Sequence, residues 1–106
     1  MTKIKLMVLY PFPNDVEQFE KDYSEHITLF HTKMNIPTDA RPYTVTKFHS
    51  EPENQAPYYQ IFTMPFPSSE VLQQVMSSPE MQEVASDAIR ISSGGAPVIL
   101  VGSDAV

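Results

Sequence analysis

The chain has 106 residues, of which 42% are hydrophobic, so it is long enough for a core and too apolar for disorder. Its formal net charge of −6 disfavours nucleic acid and anionic membranes as partners, and no stretch approaches the roughly 20 apolar residues of a membrane span. The absence of cysteine excludes disulfides and thiolate chemistry. We therefore predict a single cytoplasmic domain over residues 1–106.

The first third of the chain predicts a strand followed by a long helix. Apolar residues from Lys3 to Tyr10 face both sides of a strand, which we interpret as the first strand and not as a signal peptide. The helix begins in "NDVEQ", where either Asn14 or Asp15 has capping-box spacing to an acid or amide three residues later. It runs to about Met34, and Asn35 suits a left-handed cap.

Two further strands are predicted in the middle of the chain. The β-branched and aromatic stretch "RPYTVTKFHS" predicts a strand from about Pro42 to His49. The polar loop "EPENQAP" then leads into the strand "YYQIFTMPF". Pro65, near the end of that strand, indicates an edge position or a bulge.

The last third predicts two helical pieces and a final strand. Ser68 or Ser69 can cap the first piece, and Ser78-Pro79 is a cap followed by a proline at the first helical position. The glycines of "SSGGAP" end the second piece; because they follow a helix, they do not predict a phosphate loop. The continuously apolar "APVILVG" predicts a strand that is central or covered on both faces.

The resulting order, β-α-β-β-α-β, predicts an α+β ferredoxin-like fold with a four-stranded antiparallel sheet and its helices on one face. The strands carry too many apolar side chains for one covered face. The simplest cover for the other face is the same face of a second copy of the sheet. We therefore predict a homodimer whose two sheets pack face to face.

A histidine stands inside the apolar stripe of the helical segment "FEKDYSEHITLF". Tyr23 and Phe30 flank His26 on the face that is directed toward the sheet. Asp22, four residues earlier, could hold one imidazole nitrogen, so that desolvation and a carboxylate act on the His26 pKa in opposite directions. This pattern predicts a general base, with the Tyr23 hydroxyl steadying a substrate oxygen. The alternative is a core histidine and a core tyrosine without a catalytic role.

The other polar candidates carry weaker signals. His31 lies about 140° around the helix from His26 and is predicted to face solvent. His49 could approach a pocket mouth or be a solvated strand end, and Asp87 could reach the pocket or face water. Three dispersed histidines without cysteine predict no metal site.

The stretches "KLMVLYPFPND…FEKDYSEHITL" and "FPSSEVLQQVMSSPEMQEVASDAIRISSGGAPVILVG" resemble the opening and closing blocks of the EthD family. The resemblance covers nearly the whole chain and implies a dimeric α+β barrel. It also implies that His26 is the family's helix histidine and Tyr23 its tyrosine. Relatives on this fold include cofactor-free monooxygenases, isomerases, decarboxylases and cyclases, in which the substrate lies between helices and sheet.

Together, the residues and the resemblance favour a cofactor-independent isomerase or lyase that acts on a small, apolar, oxygen-bearing ring compound. His26 and Tyr23 are the expected catalytic residues. The expected substrate-contacting residues are Asp22, Phe30, His49 and Asp87. The alternatives are a non-catalytic binding or accessory protein for an apolar metabolite, a cofactor-free monooxygenase, and a structural dimer without a ligand.

Overall fold

The computed structural model describes residues 4–50, 52–53 and 55–105. The elements are, in chain order, β1 (Ile4–Tyr10), α1 (Val16–Met34), β2 (Thr44–Lys47), β3 (Gln60–Phe66), α2 (Ser69–Met76), α3 (Pro79–Ile91) and β4 (Val98–Ser103). This is the predicted β-α-β-β-α-β order with the second helical region in two pieces. The predicted strand start at Lys3, and residues Glu51 and Asn54 of the predicted polar loop, lie outside the described residues.

The sheet has the strand order β2-β3-β1-β4, and every neighbouring pair is antiparallel. The predicted ferredoxin-like α+β fold is therefore confirmed. The prediction that β4 is central is wrong, because β4 is an edge strand. In the single chain, its two faces are also incompletely covered. Its residues Ile99, Leu100 and Val101 are 46%, 49% and 56% exposed. A continuous apolar run shows that both faces of a strand are apolar; it does not show how many strands lie beside it.

The helices begin and end at side chains that satisfy their free backbone groups. Asp15 accepts from the backbone N–H of Gln18, so the second of the two predicted caps is the one used. Ser68 and Ser78 cap α2 and α3 in the same way, and such caps contribute about 1 kcal/mol each. Asn35 takes the predicted left-handed conformation, with φ at 56°. Among the described helices, none combines the length and hydropathy that a membrane crossing requires.

Strands β2 and β3 are shorter than predicted. β2 covers Thr44–Lys47 within the expected Pro42–His49, and β3 starts two residues later than expected. β2 pairs with β3 only over Gln60–Thr63. Pro65 therefore lies where β3 has β1 as its one described neighbour, which agrees with the edge position predicted for it.

The helices cover one face of the sheet and leave the other without cover from this chain. Alternate residues of the central strands are buried on the covered face: Leu6, Tyr10, Gln60, Phe62 and Phe66. The strand register places another alternate set on the opposite face: Met7, Leu9, Ile61, Val98 and Leu100. These five residues, which we call the open-face set, are all partly or fully exposed in the single chain.

Two turns lie against each other at the end of the sheet where β1 leads into α1. The backbone N–H of Asn14 donates to the Ser93 hydroxyl, and the Asn14 side-chain amide donates to the Ser93 carbonyl, both at 3.0 Å. A Cβ atom at position 94 would collide with the backbone carbonyl of Phe12, so only glycine allows this approach. α3 ends at Ile91 with Ser92 as its C-cap, so the glycines predicted to stop the helix lie beyond its end, in the turn that leads to β4.

Candidate functional site

His26 and Asp87 form a hydrogen-bonded pair between two helices. His26 lies on the buried face of α1, with 6% of its surface exposed, and its Nδ1 is 2.8 Å from Oδ2 of Asp87 on α3. A carboxylate can only accept, so Nδ1 carries the hydrogen and donates. In a neutral ring, Nε2 then keeps a lone pair, which is the form a general base requires.

Arg90 holds the other oxygen of the same carboxylate. Its Nε and Nη2 both lie 2.8 Å from Oδ1 of Asp87, one helical turn earlier on α3. Burial alone would raise the pKa of Asp87, but the hydrogen bonds from His26 and Arg90 outweigh burial and lower it below its usual value. Asp87 is therefore ionised at neutral pH and orients the imidazole.

The His26 ring is neutral near pH 7 because burial controls its titration. Removal from water lowers the pKa of His26, and the hydrogen bond and charge of Asp87 only partly offset that effect. The sequence predicts two such opposed effects on the His26 pKa, but with Asp22 as the carboxylate, whereas Asp87 supplies it in the structure. Their balance leaves the pKa of His26 below its ordinary value, so the ring is a base at neutral pH.

A small cavity lies between the helices and the covered face of the sheet. It has a volume of about 40 Å³. Its lining residues are Leu6, Val8, Tyr10, His26, Ile27, Phe30, Phe62, Met76, Met81, Val84, Ala85, Ala88 and Ile99. Tyr10 and His26 are the two members of this lining that carry an oxygen or nitrogen in the side chain. The cavity is an apolar chamber whose lining includes one phenol and one imidazole.

The structure brings some of the predicted site residues to this cavity and leaves others away from it. Phe30 lines it, and Asp87 reaches His26. Asp22 makes no hydrogen bond to His26; it accepts one from the side-chain amide of Gln18, one turn earlier on α1, at 2.9 Å. His49 is exposed beyond the end of β2 and does not line the cavity. The expected contact between Asp22 and His26 is therefore replaced by Asp87.

Tyr23 stands beside His26 but not in the cavity lining. The two ring centroids are 5.7 Å apart, with a tilt of 34°. The Tyr23 hydroxyl is buried without a hydrogen-bond partner among the described residues. Its predicted role as the donor to a substrate oxygen stays a prediction, and its ring forms one wall against which His26 rests.

His31 is buried, which corrects the prediction that it faces solvent. It is 6% exposed, and its Nε2 accepts from the Tyr43 hydroxyl at 2.6 Å. Its Nδ1 donates to the carbonyl of Pro37 at 3.0 Å. The connection from α1 to β2 folds back over this side of the helix, an effect that angular position on the helix cannot reveal. With both nitrogens occupied by the protein, His31 holds that connection in place.

Sequence reasoning missed two polar residues of the site. Tyr10 is the last residue of β1, and the alternation of that strand places it on the same face as Leu6 and Val8. Arg90 follows Asp87 by three residues, the spacing at which helical side chains meet. The strand alternation and the helical spacing can both be read from the sequence. Neither shows that Tyr10 or Arg90 lies near His26 until the packing of α1 against α3 is known.

Within the described residues, no group of three or more histidine, aspartate or glutamate side chains is placed to hold a metal ion. The His26–Asp87–Arg90 cluster includes a guanidinium, which repels cations.

The comparisons with known proteins agree with this architecture. The EthD domain model matches residues 13–94. An ethyl tert-butyl ether D (EthD) family protein from Bacillus halodurans C-125 shares 25% identity, with 96% of this chain and 98% of that chain covered at a TM-score of 0.78. A hydroxynitrile lyase from Passiflora edulis shares 13% identity, covering 96% and 93%, with a TM-score of 0.71.

A dimeric ferredoxin-like protein of unknown function from Jannaschia sp. CCS1 shares 10% identity, covering 96% of this chain and 98% of that chain, with a TM-score of 0.67. The last two likenesses show the fold alone. A comparison with curated protein sequences gave no significant match.

Proposed function

Because this chain belongs to the EthD family, we propose that it is a small cofactor-independent enzyme that moves a proton next to a carbonyl group of an apolar substrate. One observation carries the proposal: Nδ1 of the cavity-lining His26 is bound to Asp87, which leaves Nε2 as the basic nitrogen. An oriented, neutral imidazole in an apolar chamber has the properties of a general base.

The proposed step is an enolisation. Nε2 of His26 takes a proton from the carbon next to the carbonyl, the electrons of that C–H bond form a carbon–carbon double bond, and the carbonyl oxygen takes the negative charge. The imidazolium that results is stabilised by the Asp87 carboxylate at 2.8 Å. Return of the proton to another carbon gives an isomerase, and departure of a leaving group gives a lyase.

The size of the cavity restricts the substrate. An apolar cavity of about 150 Å³ holds a benzene ring, whereas this one measures about 40 Å³. A ring compound therefore enters only if the wall moves. Met76 and Met81 are the flexible members of that wall, since an unbranched thioether changes conformation at low cost. We propose small lactones and cyclic ketones as the substrate class.

The proposal includes a homodimer built through the open-face set. The Jannaschia relative is described as dimeric. In this chain, Met7, Leu9, Ile61, Val98 and Leu100 share one face of the sheet without cover from a helix. A second copy supplies the same surface and buries both by a two-fold interface.

A second candidate is a binding protein without catalysis. The observation that favours it is the small, almost wholly apolar chamber, which suits retention of a small metabolite as well as its conversion. In that case, His26 would donate or accept one hydrogen bond and transfer no proton.

The two candidates are separated by hydrogen–deuterium exchange. γ-Butyrolactone, cyclopentanone and 2-cyclohexenone are incubated with the protein in D₂O, and loss of the signals of the hydrogens next to the carbonyl is followed by ¹H NMR. We expect wild-type protein to accelerate exchange of at least one compound. We expect His26→Asn to reduce the rate by about 10²–10⁴-fold, and His49→Asn, at an exposed histidine, to leave it unchanged.

Each contrary outcome has a definite meaning. Binding of a compound without accelerated exchange favours the binding protein. Exchange that survives His26→Asn excludes His26 as the base. Circular dichroism on each variant shows that the fold is retained.

A further inference from the structure

Tyr10 is the second polar side chain of the cavity. It is 2% exposed and, with His26, makes up the oxygen- and nitrogen-bearing part of a lining that is otherwise aliphatic, aromatic or thioether. A carbonyl oxygen that enters this chamber therefore meets a phenol hydroxyl or an imidazole. Since the imidazole of His26 acts as the base, the Tyr10 hydroxyl is the side-chain group that remains to hydrogen-bond the carbonyl oxygen.

The Tyr10 hydroxyl is free to serve a ligand. Burial and the nearby charge of Asp87 act on this phenol, but no hydrogen bond to a described residue does. Two side-chain polar atoms in the described part of the chain are sealed from solvent without a partner, Tyr23 Oη and Gln60 Nε2. The Tyr10 oxygen is not one of them, and the Tyr10 side chain lines the cavity, where an entering ligand can meet it.

The surroundings of Tyr10 hold its ring and keep it protonated. Phe19 and Tyr23 pack edge-on against it, with centroid distances of 5.5 and 5.6 Å. Burial raises the pKa of Tyr10, and the negative charge of Asp87 raises it further. The hydroxyl therefore stays a hydrogen-bond donor throughout the pH range of interest.

We propose that Tyr10 is a catalytic residue that donates a hydrogen bond to the substrate's carbonyl oxygen while His26 takes the neighbouring proton. The proposal rests on the proposed function, since the oxygen becomes an oxyanion only if a proton is removed. It assigns to Tyr10 the role that the sequence suggested for Tyr23. The Tyr23 hydroxyl is buried without a hydrogen-bond partner among the described residues, and Tyr23 is outside the cavity lining. Its ring packs against the rings of Tyr10 and His26.

The hydrogen bond is tested first by binding alone. Cyclopentanone labelled with ¹³C at the carbonyl is titrated with protein, and the shift of the bound carbonyl carbon is measured, because donation to the oxygen moves that resonance downfield. We expect the downfield shift with wild type, Tyr23→Phe and His26→Asn, and its loss in Tyr10→Phe. A full shift in Tyr10→Phe, or no shift with any of the four proteins, overturns the proposal.

The exchange assay then measures the catalytic contribution. We expect Tyr10→Phe to lower kcat by about 10²–10³-fold with a smaller change in KM. Tyr58→Phe, at a half-buried tyrosine outside both core clusters, should leave kcat at the wild-type value. Equal kcat in wild type and Tyr10→Phe overturns this inference and leaves the proposed function intact. A different result would be a ¹³C shift that depends on Tyr10 together with no hydrogen–deuterium exchange by wild-type protein. That result would support the contact between Tyr10 and the carbonyl oxygen and would overturn the proposed function. Thermal unfolding of both variants checks that the substitution, which removes one oxygen, leaves the fold intact.

Discussion

The carboxylate of Asp87 lies 2.8 Å from Nδ1 of His26, although the two residues are 61 positions apart in the chain. Two helices that pack side by side on the same sheet face bring them together. The basicity of His26 on α1 therefore depends on Asp87 of α3.

Substitution of Asp87 by asparagine should weaken His26 as a base while it keeps a side chain of the same size at position 87. An amide can donate to Nδ1, which moves the hydrogen to Nε2 and removes the basic lone pair from Nε2. We expect exchange of the ketone probes to fall by roughly 10²-fold or more. In the ¹⁵N spectrum, the pattern of the His26 ring should change to the other tautomer. Asp22→Asn, which alters a carboxylate that contacts Gln18, is the matched control and should change neither quantity.

Stability should decrease in mild acid because of His26. Its pKa is lower in the folded protein than in the unfolded chain, where it is about 6.5. Below that pH, the unfolded state binds more protons than the folded state, so the free energy of unfolding falls as pH falls. Urea unfolding at pH 7.5 and pH 5 measures this, and His26→Asn should show a smaller difference. An equal or higher stability of wild type at pH 5 would contradict the prediction.

Shortening Met81 should enlarge the cavity. Met81→Ala removes buried atoms from the wall and should lower the free energy of unfolding by about 2–5 kcal/mol. It should also strengthen binding of 2-cyclohexenone, because the ring no longer has to displace the thioether. Met7→Ala, on the opposite face of the sheet, should leave that affinity unchanged. An affinity for the enone that is the same in Met81→Ala and wild type would show that this wall does not limit ligand size.

A charge in the open-face set should dissociate the proposed dimer. Leu100→Glu places a carboxylate, beside Met7, within a surface that two copies would bury. Sedimentation velocity should show a dimer for wild type and a monomer for this variant. Ile89→Glu is the control, since Ile89 is 60% exposed on α3 and outside that face. If wild type sediments as a monomer, the two-fold interface is absent.

Removal of the Tyr43 hydroxyl should affect stability and not chemistry. Tyr43→Phe leaves Nε2 of the buried His31 without its donor, at a cost of about 1–3 kcal/mol. Exchange of the ketone probes should stay at the wild-type rate. Tyr58→Phe, at a half-buried tyrosine outside both core clusters, should cost less. Loss of exchange in Tyr43→Phe would mean that the His31 cluster takes part in the site.

Local patterns predicted the local structure of the chain. The caps at Asp15 and Ser78, the left-handed Asn35 and the order of the elements each depend on residues a few positions apart. His26 was placed on the buried face of its helix by the same kind of reasoning. These features follow from spacing because a helix or strand imposes its period on its own neighbours.

Contacts between distant segments were not predictable in this way. Asp22 looked like the partner of His26 because it is one turn away, yet Asp87 reaches the ring from another helix. His31 looked exposed because a helix projection contains no account of the loop that folds over it. For Tyr10, strand alternation gave the correct face, but only the cavity lining distinguishes its hydroxyl from that of Tyr23.

The cavity and the open-face set lie on opposite sides of the same sheet. His26, Asp87, Arg90 and Tyr10 all come from one chain and lie on the helical side. A dimer formed through the other side would therefore contain two complete sites with a pair of sheets between them. If each site binds its ligand with residues of one chain alone, saturation of such a dimer should follow a hyperbola with a Hill coefficient of one.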